Sequence, residues 1–168
     1  MNVNNAGSAD VNILQSDTVT FRDKDKPSND GLAFVGGADL AAVASQYPHI
    51  QILNPSGSGI VVAVDKIVFT NVTNNSDYGI HTYNTALASN LTTIECTNIG
   101  AATPNAELRE ATNVAVLGDM FYVDRELAAV PAKNMFDYPL FLDEGQGIVA
   151  VSYSTNVTVR GNVFWREL

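Results

Sequence analysis

The stretch of sequence that decides the fold is HIQILNPSGSGIVVAVDKIVFT, residues 49–70. Its two apolar runs, His49–Leu53 and Ile60–Thr70, flank a six-residue segment that contains two glycines, a proline and an asparagine. Such a segment is typical of a turn, because glycine and asparagine tolerate positive φ and proline cannot donate to a sheet. The stretch therefore predicts two β-strands joined by a turn.

The second of these strands is apolar on both faces. Residues of one parity are Ile60, Val62, Val64 and Val68, and residues of the other are Val61, Ala63, Ile67 and Phe69. A strand of this kind lies in the centre of a sheet or is covered on both sides. A neighbouring subunit is one way to provide the second cover.

Short runs rich in Val, Ile, Phe, Tyr and Thr continue along the chain, separated by clusters of Asn, Gly and Ser that favour turns. The further predicted strands are Tyr78–Tyr83, Leu91–Cys96, Asn113–Leu117, Met120–Leu127, Tyr138–Leu142, Ile148–Tyr153 and Asn156–Trp165. We expect the last two to form a hairpin and Ala128–Asp137 to be a connection. Because there is no β-α-β rhythm, the sheets should be mainly antiparallel.

Two segments predict short helical turns. Asp39–Ser45 has a capping residue at its start and a Tyr-Pro stop after it. Thr103–Ala111 has a proline at the first helical position and a glutamate in the first turn. The predicted fold is an all-β, jelly-roll-like antiparallel sandwich over residues 32–168, with one or two such turns.

Residues 1–31 differ from the rest of the chain. They begin with small polar residues and end in the charged segment RDKDKPSNDG, residues 22–31. Val11–Leu14 and Thr18–Phe21 could each form a short edge strand. We interpret residues 1–31 as an extended N-terminal arm or irregular lead-in of a kind that orders against a neighbour.

Charge and length exclude several classes of function. The chain of 168 residues suits one domain, and its 18 acidic residues against 9 basic ones give a net charge of −9. No cluster of Lys and Arg is present, which argues against binding to nucleic acid or to an anionic membrane. The sequence has no apolar run long enough for a membrane helix, and its start lacks the basic and apolar regions of a signal peptide. We therefore expect no export and no membrane partner.

Candidate metal and thiol sites fail on spacing. His49 and His81 lie 32 residues apart on predicted strands, where ordinary strand histidines explain them better than a zinc pair. Residues 23–31 resemble a calcium loop superficially, but Pro27 and Phe34 occupy positions that need oxygen ligands. The single cysteine, Cys96, has no neighbour that would lower a thiol pKa, and we expect it to be a small buried residue.

Candidate catalytic groups fail in a similar way. Ser58 lies between two glycines, but in a turn between strands rather than in a nucleophile elbow. Asp143 and Glu144 are adjacent in a turn and should point apart. Asp124 and Glu126 are about 7 Å apart on one strand face. Exposure of that face to solvent explains both carboxylates without a catalytic cleft. The sequence therefore predicts a protein that is not an enzyme and has no catalytic, metal or cofactor site.

Four tyrosines leave one binding function open. Tyr78, Tyr83, Tyr122 and Tyr153 could line a sugar-binding surface, although aromatic residues in such folds more often cover sheet faces or fill subunit contacts.

Two blocks of the sequence resemble small structural proteins of tailed-bacteriophage virions. The first is QILNPSGSGIVVAVDKIVF from Gln51, a strand, an Asn-Pro-x-Gly-Ser-Gly turn and a valine-rich strand. The second is PLFLDEGQGIVAVSYSTNVTVRGNVFWREL, with Pro139, Leu142, Gly145, Gly147, Trp165, Arg166 and Glu167 as its recognisable positions. The resemblance covers about half of the chain, and its motifs are those of turns and strands.

This resemblance implies a jelly-roll or related sandwich that assembles as a homotrimer in the virion. Proteins of this kind decorate or cement the capsid, or belong to tail and fibre structures. The resemblance implies the major capsid protein or other virion proteins as partners, with assembly in the host bacterial cytoplasm. The alternative is a tail- or fibre-associated module that binds carbohydrate or attaches to the host.

Overall fold

The structure is a computed structural model that describes residues 32–90, 94–96, 103–126 and 132–168. The predicted arm, residues 1–31, lies outside the described residues, together with its two short strands and the loop at 23–31. No helix of the described part is long and apolar enough to cross a membrane.

The described residues form eleven β-strands and no helix. The strands are β1 Ala33–Leu40, β2 Tyr47–Leu53, β3 Val62–Asn71, β4 Ser76–Thr82, β5 Ser89–Asn90, β6 Ile94–Cys96, β7 Glu107–Asn113, β8 Asp119–Glu126, β9 Ala132–Leu142, β10 Gly147–Ser152 and β11 Val159–Glu167. They form one sheet in the order β6-β1-β11-β3-β9 and a second in the order β5-β7-β2-β10-β4-β8, and every pair is antiparallel. This confirms the prediction of an all-β antiparallel sandwich.

Eight of the strands pair in a nested order. β1 pairs with β11, β2 with β10, β3 with β9 and β4 with β8, so that each pair encloses the next along the chain. The pairs fall alternately in the first and the second sheet. The chain therefore runs as one long antiparallel ribbon that is folded across both layers, with β5, β6 and β7 inserted between its two halves.

The core lies between the sheets and is built from alternate residues of each strand. Trp165 and Phe34, paired across β11 and β1, stack with ring centroids 5.6 Å apart, and Phe69 stacks on Tyr78 of the other sheet at 5.7 Å. All four side chains are nearly inaccessible to solvent. Burial of large aromatic side chains of this kind is among the strongest stabilising contributions in a domain.

The apolar residues on both faces of β3 result from a β-bulge. Val64 pairs with Trp165 and Lys66 with Phe164, which leaves Asp65 as an extra residue in the strand. An extra residue reverses which side chains face inward. Val62 and Val64 belong to the core before the bulge, and Ile67 and Phe69 after it. The pattern therefore follows from a change of parity within one chain, and a covering subunit is not needed to explain it.

Both predicted helical turns are wrong. Residues 39–40 continue β1, where Asp39 pairs with Arg160 of β11, and residues 41–46 form an irregular turn. Within 103–111, residues 107–111 belong to β7, which pairs along its full length with β2 and buries Leu108. Local capping signals are weak, and the pairing of a strand with a partner distant in sequence outweighs them.

Three further details differ from the sequence prediction. β10 and β11 lie in different sheets and form no hairpin, because the 153–158 connection crosses between layers. Residues 114–117 form no strand. β9 begins at Ala132, inside the segment expected to be a connection.

The two turns that carry the sequence resemblance contact each other. The Asn54 side chain is fully buried, and its Nδ2 donates to the carbonyl groups of Ile60 (2.9 Å) and Leu142 (3.0 Å). Glu144 reaches the opposite turn, where its carboxylate accepts from the backbone N–H groups of Gly57 and Gly59, each at 2.9 Å. Both glycines have positive φ, as the turn prediction requires.

Candidate assembly surface

Part of the outer face of the six-stranded sheet is covered by connections of the same chain. Two connections, residues 83–88 and 114–118, cross this face and are held by buried polar side chains. Gln51 donates to the carbonyl groups of Tyr83 (2.8 Å) and Thr85 (3.0 Å) and accepts from the N–H of Leu87 (2.9 Å). The donor and the acceptor of this buried amide therefore both bind the 83–88 connection and hold it to β2.

The two histidines hold the second connection. The Nδ1–H of His49 donates to the carbonyl of Tyr47 (2.8 Å), and Nε2 accepts from the N–H of Leu117 (3.2 Å). His81 bonds to the carbonyl of Gly118 through Nδ1 (3.2 Å) and to the hydroxyl of Tyr153 through Nε2 (2.7 Å). With both ring nitrogens of each histidine occupied, neither offers a lone pair to a metal ion.

Burial fixes the charge of the first histidine. Removal from solvent, together with a smaller effect of the nearby His81, lowers the pKa of His49 to about 4. The ring is therefore neutral near pH 7, which its role as acceptor for Leu117 requires. The described part of the chain contains no group of three or more His, Cys, Asp or Glu side chains placed to hold a metal.

The other candidate groups do not form a reactive centre. The hydroxyl of Ser58 donates to Asn54 Oδ1 (2.6 Å) inside the turn, with no base as its acceptor. Asp143 and Glu144 lie in one turn, where the carboxylate of Glu144 serves the backbone bonds already described. Asp124 is exposed and accepts from the Tyr122 hydroxyl (3.3 Å), while the Glu126 side chain lies outside what is described.

The four candidate tyrosines and Cys96 also lie in different parts of the fold. Tyr78 is fully buried in the core and Tyr153 bonds to His81, so the four tyrosines do not share one binding surface. Cys96 lies on β6, as the strand prediction required, but the expected burial of its side chain lies outside the described part of the structure.

The clearest unusual feature is the edge strand β8. Four consecutive residues of β8 are large, apolar and exposed: Met120 (56%), Phe121 (47%), Tyr122 (38%) and Val123 (51%). β8 pairs with β4 on one side and is the last strand of its sheet on the other. An exposed edge strand with this composition favours contact with another chain.

A bulge in β8 explains why these residues are exposed together. Tyr122 pairs with Ile80 and Met120 with His81, so that Phe121 is the extra residue. The bulge interrupts the regular alternation of side-chain directions along the strand. Phe121 is directed to the inner side of the edge, whereas Met120 and Val123 lie on the outer side, opposite His81 and Gly79.

A cleft opens beside β8, where the two sheets separate at the same edge of the sandwich. Its volume is about 490 Å³, and its lining includes Phe121 of β8, Thr82 of β4 and Leu140, Phe141 and Leu142 of β9. Phe141 is 59% exposed and lies on β9, the edge strand of the other sheet, where it also lines the cleft. We call Met120, Phe121, Tyr122, Val123 and Phe141 together the edge patch.

The exposed area of the edge patch is similar to that of the largest apolar patch on a typical monomer, and its position on an edge strand is what favours a contact. With roughly 200 Å² for each whole side chain, its five members expose on the order of 500 Å². The largest apolar patch on a typical monomer is about 300–600 Å² and often marks an interaction site. Sequence reasoning missed the patch because it read β8 as a half-buried strand. The signal that could have found it is the run MFYV, in which four apolar residues leave no polar face.

Comparison of this chain with known protein families, with curated proteins and with solved structures finds no match.

Proposed function

We propose that this protein is a structural component of a bacteriophage virion, of the capsid decoration or cement type, and that it stabilises the head as a homotrimer. The observation that carries the proposal is the edge patch, because an exposed apolar strand edge beside an open cleft is suited to assembly. Burial of the patch against a neighbour would stabilise the contact by about 25 cal/mol for each Å² of apolar surface removed from water.

The strand order supports the same proposal. Eight strands in four nested antiparallel pairs, distributed over two sheets, are the arrangement that we infer to be a jelly roll, a fold that recurs in viral capsid domains. The two turns that carry the resemblance to virion proteins are also joined by hydrogen bonds. A single contact therefore accounts for the presence of both sequence blocks in one chain. In this proposal the partners are the major capsid protein or other virion proteins, and assembly takes place in the host bacterial cytoplasm.

The mechanism is mechanical rather than chemical. Each protomer buries apolar surface against its siblings and against the shell, and binding to the assembled state stabilises that state by mass action. The alternative, a carbohydrate-binding or host-attachment module of a tail or fibre, has less support because the tyrosines expected to form its surface are dispersed. A glycan array with reproducible hits that are lost in Phe121→Ser would favour this alternative.

The oligomeric state tests the first part of the proposal. We expect the purified protein to be a trimer by light scattering at micromolar concentration, and Phe121→Ser combined with Phe141→Ser to shift it toward monomer. The matched control is Val114→Ser, which removes a residue that is 74% exposed but lies outside the edge patch. A monomeric wild-type protein would contradict the trimer.

The second test concerns the particle. Virions that lack the protein should lose heat and osmotic resistance, and added wild-type protein should restore it. Unchanged resistance in its absence would rule out the cement role, whatever the oligomeric state.

A further inference from the structure

We propose that the cleft beside β8 receives the apolar residues of segment 11–21 from the N-terminal arm of a second copy of this chain. The inference rests on the proposed self-assembly and names the segment that fills the cleft. Its grounds are the position at which the arm leaves the described structure, the length and composition of the arm, and the two-sided shape of the edge patch.

The arm leaves the sandwich at the end where the cleft opens. The carbonyl of Leu32 accepts from the N–H of Glu167 (2.8 Å), next to the pairing of Ala33 with Arg166. At the same end, Val62 pairs with Leu142, and Leu142 lines the cleft. The arm therefore starts at the same end of the sandwich as the cleft.

The arm is long enough to reach a neighbouring copy. At about 3.3 Å per extended residue, Phe21 lies within roughly 35 Å of Leu32, and Val11 within roughly 70 Å. By comparison, β1 and β9 are three strand spacings apart in their sheet, or about 14 Å. Length therefore allows docking on the same chain or on a second copy, and the choice depends on other features.

The composition of the segment fits an apolar cleft in an acidic protein. Residues 11–21, VNILQSDTVTF, place Val11, Ile13, Val19 and Phe21 at positions of one parity, and the one charge of the segment, Asp17, lies between them on that same parity. The whole chain carries −9, so two copies repel each other. A segment that carries only one charge adds little to this repulsion when it enters the cleft of another copy.

The shape of the edge patch favours a second copy. Phe121 faces the cleft, but Met120 and Val123 lie on the outer side of β8, beyond the cleft. A segment of the same chain that filled the cleft would leave this outer part exposed. An arm from a second copy brings the body of that copy against the outer part, so that both sides of β8 are covered by one partner.

Disulfide trapping in the full-length chain tests the assignment. In a Cys96→Ser background, one copy carries Val19→Cys and a co-expressed copy carries Thr82→Cys, an exposed position in the lining of the cleft. We expect oxidation to join residues 19 and 82 between copies, identified by mass spectrometry of the linked peptides. The matched control replaces Thr82→Cys with Ser89→Cys, an exposed position on β5 at the opposite edge of the sheet, and should give little product.

Three outcomes would overturn the inference. A 19–82 bond that forms only when both cysteines are in one chain would show docking on the same chain. A dominant 82–82 bond would show direct contact between edges. An oligomer by light scattering that contains no 19–82 bond would show that another segment or surface joins the copies, and would leave the proposed function standing. A monomer in the same measurement would instead contradict the homotrimer itself.

A second test removes apolar side chains from the segment and measures how tightly the copies associate. Val19→Ser combined with Phe21→Ser should raise the protein concentration at which the oligomer dissociates by roughly tenfold or more, because two side chains no longer enter the cleft. Thr18→Ser combined with Thr20→Ser is the control and should leave that concentration within about threefold. Equal effects of the two double variants would contradict the docking of this segment.

Discussion

Acid should destabilise this protein through one buried histidine. His49 is fully buried, and its pKa is lowered from 6.5 to about 4. The unfolded chain therefore binds a proton at this residue below about pH 6.5, whereas the folded protein does so only below about pH 4. Stability from the neutral ring is fully present above pH 6.5 and is lost as the pH falls toward 4.

The magnitude follows from the difference between the two pKa values. At 1.36 kcal/mol per pKa unit, the contribution of His49 to the free energy of unfolding should fall by about 3 kcal/mol between about pH 7 and pH 4. For a domain with a net stability of about 5–15 kcal/mol, this is a large fraction. The main physical cause is the lost solvation of a charged ring at this buried position. Protonation of Nε2 also removes the acceptor for the N–H of Leu117, so the 114–118 connection loses a bond that holds it to the sheet.

Urea unfolding at a series of pH values measures this effect, with the fluorescence of buried Trp165 as the probe. In His49→Gln, which keeps a donor and an acceptor but does not titrate, the pH dependence should be weaker than in wild type by about 3 kcal/mol over this range. The control is Gln51→Asn on the same strand face, which should lower stability at every pH without changing the slope. Parallel curves for His49→Gln and wild type would refute the reasoning.

Other substitutions test contacts that hold the fold. Asn54→Ala should lower the free energy of unfolding by about 3 kcal/mol, since it removes the side-chain donor to the partly buried carbonyl of Ile60 and the buried carbonyl of Leu142, whereas Glu144→Gln in the exposed facing turn should cost less than about 1 kcal/mol; similar costs for the two would be inconsistent with the buried role of Asn54. Gly79→Ala should cost about 1–3 kcal/mol, because a methyl group there overlaps the Tyr153 hydroxyl, and a stable variant with an intact bond between Tyr153 and His81 would disprove this. Glu167→Gln should cost about 2 kcal/mol, since this buried carboxylate accepts from the N–H groups of residues 105 and 106, and an unchanged urea midpoint would argue against it.

Local chemistry was enough to predict an antiparallel sandwich and the turn between β2 and β3. The turn at residues 54–59 was predictable because Gly57 and Gly59 adopt the positive φ that glycine permits. β11 was predictable because Val159, Val163 and Trp165 alternate with polar residues and are buried. In both cases, the property that decides the structure lies within a few adjacent residues.

What could not be predicted depends on residues far apart in sequence. The bulge at Asp65 depends on the register of β3 against β11 and β9, which no pattern within β3 reveals. The buried state of His49 depends on a connection more than 60 residues later, and so does its lowered pKa. The edge patch was missed for the same reason, because exposure of Phe121 depends on which strands flank β8 and not on the composition of β8.

The nested strand order constrains when this protein can fold. β11 lies between β1 and β3, so the five-stranded sheet cannot close until the chain has been synthesised through residue 167. At ribosomal rates of about 5–20 residues per second, the edge of β1 that β11 will cover stays open for roughly ten seconds. Contacts between residues so distant in sequence also form slowly. Nascent chains on one messenger RNA therefore expose unpaired strands to each other, and folding in the cell should depend on chaperones that shield them until β11 emerges.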